Sequence, residues 1–383
     1  MVAQPLVNVN RGAMSVLAAI VGNPSNRNSQ PGVTGFSRLK PVVDTQPQFL
    51  PSLVEKITSA DHQLCANALQ LINALMRDAI ANDAAFEWPK FIKQLQELGV
   101  IKSVYGLMQS SAIQDLAPPL LDFQSLTKIL LRNWREEKVD LEKTEHRRAI
   151  RGLYTASTTD KSVADPKGSK KQDPVKWRRL GFETESPAWE FDTTGFLGLM
   201  DITDFVFKNE DGFQKLLLER SVVPLEQRCP VARASLAVTL ALYEHFEVDK
   251  MDDESHRYTV LESRANFDRA FKPLLLHWSR LHTSGLNAFI RLWKVAGAQI
   301  EDFDKIEELV RILVEQVVGQ APRQKDIRVV EEELGEFELK RLRQLQMELL
   351  ELTYEDAWGH HLRYVHTFHS ISDDADRQQA SAR

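Results

Sequence analysis

Residues 177–206 read WRRLGFETESPAWEFDTTGFLGLMDITDFV, and this stretch decides how the chain is interpreted. Its loop EFDTTGFLGL contains Gly195 and Gly198, which either cradle a phosphate or allow a tight turn into a helix. A P-loop needs a lysine after its second glycine. This loop has none, and Glu190 and Asp192 would repel phosphate. A structural turn is therefore predicted. Its predicted apolar anchors are Trp189, Phe191, Phe196 and Leu197.

The sequence on both sides of this stretch has helical periodicity. Apolar residues recur at three- and four-residue spacing from Leu64 to Ala79, and Asp61 is placed to cap that helix. Gly99 follows the next periodic segment, where a left-handed helix end is expected. Strand-like alternation does not compete with these patterns. The sequence therefore predicts an all-α protein whose early helices stack in an armadillo- or HEAT-like region.

Composition and charge narrow the function further. The 383 residues carry a net charge of −6, which gives no overall attraction to nucleic acid. No apolar run approaches the ~18 residues of a membrane span, so no integral membrane association is expected. The segment RGAMSVLAAIVGNP is interpreted as a helix remnant and not as a signal peptide. The only cysteines, Cys65 and Cys229, have no CxxC spacing, which favours a reducing, cytoplasmic location.

Composition shifts divide the chain into six predicted parts. The predicted order is an N-terminal helix remnant and flexible linker (1–51), an armadillo-like helical region (52–154), a disordered linker (155–175), a helical domain core (176–320), a C-terminal helical extension (325–366) and a polar tail (367–383). The lysines of the second linker alternate with aspartates, which favours a solvated linker over a nucleic-acid arm.

Residues able to support chemistry are few. His360, His361, His366 and His369 lie close together near the C-terminus, but neither an HExxH motif nor a cysteine joins them, and solvated histidines are favoured over zinc ligands. Cys229 has no neighbouring histidine and is predicted to be a buried structural thiol. No active site, metal or cofactor is therefore predicted.

The opening stretch resembles the signature of the ELMO (engulfment and cell motility) family. The matching residues are Trp177, Leu180, Gly181, Phe182, Pro187, Glu190, Phe191, Gly195, Leu197, Gly198, Leu199 and Phe205. The segment CPVARASLAVTL, with Cys229, Pro230, Arg233 and Ser235, is similar to the next helix of the family's scaffold branch. The segment ANALQLINALM to LGVIKSVYGLM is similar to its armadillo-type region. Together these similarities cover most of Leu64 to Gln320, and the resemblance implies an all-helical ELMO domain.

Two functions follow from this resemblance, and one residue separates them. ELMO-domain activators of Arf-like GTPases carry an arginine finger after the acidic-Phe pair, whereas this chain has Asp192 there. The resemblance therefore implies the non-catalytic scaffold branch, which partners DOCK-type exchange factors to activate Rac-like GTPases in actin remodelling, phagocytosis and motility. The alternative is a GTPase-activating protein that uses Arg178 or Arg179. For the scaffold, the expected location is the cytoplasm, with recruitment to the membrane periphery through its partners.

The C-terminal extension is the expected partner-binding element. One helix is predicted from Lys325 to Leu352, and it carries a leucine stripe at 3-4-3 spacing. The stripe spans fewer heptads than a coiled coil needs, which favours a helix that packs in a bundle. In the family, a helical extension at this place contacts the DOCK protein. The residues nominated for that contact are Leu342, Leu345, Leu349 and Leu352.

Overall fold

The computed structural model describes residues 6–22, 41–43, 45–81, 88–108, 113–157, 174–184, 187–250, 266–267 and 270–352. All regular secondary structure within these residues is helical, which confirms the predicted fold class. None of the helices described there combines the length and apolar character needed to cross a bilayer.

Six helices form the N-terminal part of the structure. They are α1 (Val7–Gly22), α2 (Phe49–Ile57), α3 (His62–Ala81), α4 (Trp88–Glu97), α5 (Val100–Met108) and α6 (Ile113–Glu136). The predicted cap of α3 is confirmed, because Asp61 Oδ1 accepts a hydrogen bond of 2.8 Å from the amide of Leu64. The predicted left-handed end after α4 is also confirmed, since Gly99 has φ +81°.

Ten further α-helices are named in the described residues, besides short 3₁₀- and π-helical turns. They are α7 (Thr144–Ala156), α8 (Pro174–Leu180), α9 (Pro187–Glu190), α10 (Gly195–Lys208), α11 (Glu210–Ser221), α12 (Val231–His245), α13 (Trp278–Ala296), α14 (Phe303–Val314), α15 (Ile327–Glu336) and α16 (339–352). Helix α10 packs against α6 and α7 on one side and against α12 and α13 on the other. This central helix begins at the glycine loop of the opening stretch.

The long helix α6 joins two apolar cores. Its early residues, such as Leu120, lie in the core formed by α1 to α5, whereas Leu131 lies in the core built around α10. Trp134 contacts both cores. The chain segment that contains Ala270 and Lys272 also contacts the first core. Gln124 of α6 donates a hydrogen bond to the carbonyl of Ala270 (3.1 Å) and accepts one from the amide of Lys272 (2.8 Å). The two cores are therefore held together by chain segments that enter both.

The prediction of one continuous helix from Lys325 to Leu352 is wrong. Helix α15 ends at Glu336, and Phe337 adopts φ −57° and ψ 126°, an extended conformation. Phe337 packs against the apolar core, and the Arg291 guanidinium donates to the carbonyls of Leu334 (3.4 Å) and Phe337 (2.9 Å). These bonds satisfy carbonyls that lose helical partners at the break. The packing of the half-buried Phe337 and the two hydrogen bonds from Arg291 therefore outweigh the local helical periodicity.

Candidate functional site

Aromatic residues of the opening stretch form a ladder of buried rings. The Trp177 ring centroid lies 5.3 Å from Tyr154 and 5.7 Å from Phe182, and Phe182 lies 5.7 Å from Phe191. Trp177 and Phe191 are almost fully buried. The ladder therefore fixes α8 and the loop before α10 against α7, and these motif residues form core and not an exposed surface.

Two separated parts of the motif meet at Gly181. Gly181 has φ +93°, and a Cβ at this position would lie 2.6 Å from the backbone of Pro230. Only glycine permits both this conformation and this approach. The neighbouring Cys229 is buried, and burial raises the pKa of its thiol to about 12. Such a thiol stays protonated and is a poor nucleophile at neutral pH, in agreement with the predicted structural thiol.

Gly195 forms the predicted tight turn. It has φ +58°, and its amide donates to the carbonyl of Phe191 (2.6 Å). The next amide, that of Phe196, donates to the carbonyl of Glu137 at the end of α6 (2.8 Å). A Cβ on Gly195 would lie 1.9 Å from the carbonyl oxygen of Arg135. The backbone after α6 therefore covers the start of α10, where a phosphate would otherwise bind.

Gly198 brings α10 close to α12. A Cβ at Gly198 would lie 2.2 Å from Thr194 Oγ1 and 2.9 Å from Leu236 Cδ2. The flanking Leu197 and Leu199 are buried in the same core. Both glycines of the loop thus serve helix packing.

Arg233 connects the motif to α14. Its guanidinium lies 3.9 Å from the centroid of the Phe303 ring, with one nitrogen 2.8 Å from Glu183 Oε1 and another 3.5 Å from Asp304 Oδ1. Arginine suits this place because its planar group can stack on a ring and bind carboxylates at its edge. The motif arginine is therefore engaged in the fold.

The surface of the motif loop carries Asp192 and Trp189. The Asp192 side chain is 68% exposed and lies 3.7 Å from the still more exposed Lys138. Trp189 is 77% exposed, so the prediction that it is an apolar anchor of the turn is wrong. The nearest arginine on α6, Arg135, donates to the Thr193 carbonyl (3.1 Å), pairs with Asp249 (3.1 Å) and stacks on Tyr243. No guanidinium is therefore presented at this loop by the residues that the structure describes there.

A buried polar network, which the sequence interpretation missed, lies behind the loop. Asp201 accepts hydrogen bonds from Trp278 Nε1 (3.0 Å) and Thr239 Oγ1 (2.8 Å). Ser235 Oγ lies 3.0 Å from His282 Nε2. All are buried, so the serine and histidine do not reach a substrate, and the network ties α10, α12 and α13 together. The one available sequence signal was an aspartate within the apolar run LGLMDITDFV.

The C-terminal histidines, which the sequence analysis interprets as solvated and not as zinc ligands, are not tested by this structure. His360, His361, His366 and His369 lie outside the described residues. Within the part of the chain that is described, no group of three or more His, Cys, Asp or Glu side chains is arranged to hold a metal ion.

The nominated leucine stripe lies on α16 and is only partly accessible. Leu342 is fully buried and Leu345 is half-buried, whereas Leu349 and Leu352 are 50% and 59% exposed. The last three leucines line a groove of about 490 Å³ between α16, α12 and the turn after α14. The groove's other lining residues are Ala241, Glu244, His245, Arg311, Ile312, Glu315, Gln316, Gln320 and Glu348. The groove thus has an apolar floor and a charged rim.

A helical domain built around the motif from Trp177 to Phe205 matches a known family. The model of the ELMO/CED-12 family matches residues 129–307. This range of the chain is therefore similar to the ELMO/CED-12 family, and it holds α10, α12 and the motif glycines.

Curated relatives extend the similarity beyond this domain. The chain is 23% identical to engulfment and cell motility protein 3 of Mus musculus over 309 residues, which cover 78% of the chain and 41% of that relative. It is 25% identical to engulfment and cell motility protein 1 of Homo sapiens over 285 residues (72% and 38%). It is 25% identical to engulfment and cell motility protein 2 of Bos taurus over 302 residues (76% and 41%). The chain spans about two fifths of these relatives' length.

Proposed function

We propose that the chain is a non-catalytic ELMO-family scaffold. Its partner is a DOCK-type guanine nucleotide exchange factor, and the pair activates Rac-like GTPases in actin remodelling, phagocytosis and motility. The observation that carries the proposal is Asp192, an exposed carboxylate at the position where the resemblance places an arginine finger. The names of the relatives, engulfment and cell motility proteins, agree with this class.

The charge at this position opposes GTP hydrolysis. An arginine finger stabilises negative charge on the transferred phosphoryl group and contributes ~10³–10⁵ in rate. A carboxylate at the same position would repel that charge. Arg135 does not replace it, because its guanidinium is held by the Thr193 carbonyl, Asp249 and the Tyr243 ring. The residues of this loop are therefore more consistent with binding a partner protein than with catalysing GTP hydrolysis.

The groove beside α16 is the proposed docking surface for the exchange factor. It offers the exposed Leu349 and Leu352 beside Ile312, an apolar floor of the kind that receives the apolar face of a partner helix. Its rim carries charged groups: Arg311 pairs with Glu244 (2.8 Å), and Glu315 lies 2.8 Å from Nδ1 of the buried His245. We expect the rim to fix the register of the bound segment, and Leu342 to hold α16 on the core.

Co-precipitation with the N-terminal region of a DOCK-type exchange factor tests the proposal. The wild-type chain is expected to bind, and the double variant Leu349→Glu/Leu352→Glu is expected to bind at least tenfold more weakly, because two charges would enter an apolar contact at ~1–3 kcal/mol each. Met347→Glu/Leu350→Glu is the matched control, since Met347 and Leu350 are similarly exposed and lie on the opposite face of α16.

One result would contradict the scaffold assignment, and a second would contradict only the proposed groove. One is that the wild-type chain does not bind any DOCK-type N-terminal region tested. The other is that both double variants bind as the wild type does, which would remove the groove from the proposal. The rate of nucleotide exchange on a Rac-like GTPase, measured with the exchange factor in the presence and absence of the chain, then shows whether binding changes that rate.

Activation of GTP hydrolysis on an Arf-like GTPase is the second candidate. It is favoured by one observation: Arg178 and Arg179 are exposed on α8, and neither forms an ion pair with a described carboxylate. This candidate requires faster hydrolysis by an Arf-like GTPase, and loss of that effect in Arg178→Ala or Arg179→Ala. Unchanged hydrolysis at high concentrations of the chain would eliminate it.

A further inference from the structure

Helices α7 and α8 expose a set of arginines on their outer sides. The exposed residues are Arg147, Arg148, Arg151, Arg178 and Arg179. None of them forms an ion pair with a carboxylate among the residues that the structure describes, and Arg147 reaches only the Leu141 carbonyl, at 3.4 Å. By contrast, Arg77, Arg280 and Arg311 each have a carboxylate partner within 2.8 Å. Among the described residues, the cationic charge of the α7 and α8 arginines therefore faces solvent without a paired carboxylate.

The two helices that carry these arginines are in contact through one pair of rings. In α7, His146, Ile150 and Leu153 face the core, which directs Arg148 and Arg151 outward. Tyr154 lies one turn after Arg151, and its ring contacts Trp177, the residue before Arg178. The helices that carry the arginines, α7 and α8, are therefore linked by this aromatic contact. We name these five residues the arginine face.

The charge of the arginine face stands out from the rest of the chain. Helices α7 and α8 together carry six Lys and Arg residues and a single carboxylate, Glu145, whereas the whole chain has a net charge of −6. The guanidinium groups project from the outer faces of two helices and not into a cavity. Such a surface suits an extended array of anions.

Nucleic acid fits the arginine face less well than a membrane does. Binding of single strands uses exposed aromatic rings on which bases stack. Here Trp177 is fully buried and Tyr154 packs against it, so the rings of α7 and α8 serve the fold. We propose that the arginine face binds the anionic surface of a lipid bilayer. Guanidinium groups contact the headgroup phosphates and carboxylates, which would orient the ELMO/CED-12 domain directly on the membrane.

Co-sedimentation of the full chain with vesicles tests this inference. We expect binding to vesicles of equimolar phosphatidylcholine and phosphatidylserine, and little binding to phosphatidylcholine alone. Binding should weaken as salt rises, because the Debye length shortens from ~10 Å at 0.1 M salt to ~3 Å at 1 M. The variant Arg148→Gln/Arg151→Gln/Arg178→Gln/Arg179→Gln should bind at least about tenfold more weakly, since each basic residue near such a surface adds measurably to affinity.

A matched variant separates this surface from total charge. Lys93, Arg328, Lys340 and Arg343 are exposed elsewhere, and changing all four to Gln removes the same charge. That control should bind mixed vesicles within about twofold of the wild type. Thermal unfolding of both variants verifies that they fold. The proposal would be overturned by any of three results: the two variants lose vesicle binding equally, the wild type binds both vesicle types equally, or the wild type does not bind vesicles. Exchange-factor binding is measured without vesicles, so its outcome stays separate.

Discussion

The α-carbon of Gly195 lies directly against the carbonyl oxygen of Arg135, where an added Cβ would be 1.9 Å from that oxygen. The beginning of α10 is thereby locked onto the end of α6. Because α6 enters both apolar cores, this contact connects the motif loop to the whole described structure.

Replacement of Gly195 by Ala is expected to lower the free energy of unfolding by at least about 2 kcal/mol. The φ of +58° disfavours a Cβ, and the new methyl group would overlap the Arg135 carbonyl. Gly297 provides the control, since it has φ +60° and open space around it. Gly297→Ala should cost only about 1 kcal/mol. Urea unfolding measures the free energy of unfolding of both variants. Equal losses of stability would mean that the contact with the Arg135 carbonyl adds nothing to the cost of the positive φ.

Replacement of Arg233 by Lys is expected to destabilise the fold by about 1 kcal/mol. Lysine keeps the charge but cannot stack on Phe303 while reaching Glu183. The surface ion pairs alone contribute little. Thermal unfolding at high salt separates the two contributions, because salt screens the ion pairs more than the stacked contact. A loss that disappears completely at high salt would contradict the role assigned to Phe303.

Asp201 should make stability depend on pH in a defined direction. Burial raises the pKa of the Asp201 carboxyl, and Asp204 adds to this, while the charge of His282 and the hydrogen bonds from Thr239 and Trp278 oppose it. The folded state therefore holds the proton more tightly than the unfolded state does. Stability from this group is fully present below the unfolded pKa of about 4 and is lost as pH rises through the higher folded pKa.

The variant Asp201→Asn isolates this effect, because its amide oxygen can still accept from Trp278 Nε1. The free energy of unfolding of the variant relative to the wild type should rise with pH above about 4 and then level off. Urea denaturation across a pH series measures this difference, in which the other titrating groups largely cancel. A difference that stays constant with pH would show that Asp201 titrates alike in both states.

The sequence predicted the helices well where the signals were local. Asp61 as a cap and the glycines Gly99 and Gly195 were identified from residue type and spacing, since caps and left-handed turns depend on neighbouring residues. The Asp201 network was not predicted. Its members lie on three helices and are up to 81 positions apart in the sequence. A local sequence pattern therefore cannot predict that Trp278 donates a hydrogen bond to Asp201. The burial of Trp177 likewise depends on a distant residue, because its ring packs on Tyr154 of α7.

Replacement of Arg291 by Ala is the change expected to affect α16 selectively. Arg291 donates to the carbonyls of Leu334 and Phe337, where α15 ends and the chain turns toward α16. Hydrogen bonds from a charged donor are worth about 1.5–3 kcal/mol, so their loss should loosen this turn while the two apolar cores stay folded. The leucines after Leu342, which line the groove, would then be held in place less firmly.

Hydrogen exchange resolves this local effect. Amides of residues 339–345 should exchange faster in Arg291→Ala by at least about tenfold, because 1.4 kcal/mol corresponds to a factor of ten in opening. Amides of α10 and α12 should be unchanged. Arg328→Ala, at an exposed side chain on α15, is the control and should leave α16 protected. Equal protection of α16 in both variants would mean that burial of Phe337 and Leu342 alone fixes the break between α15 and α16.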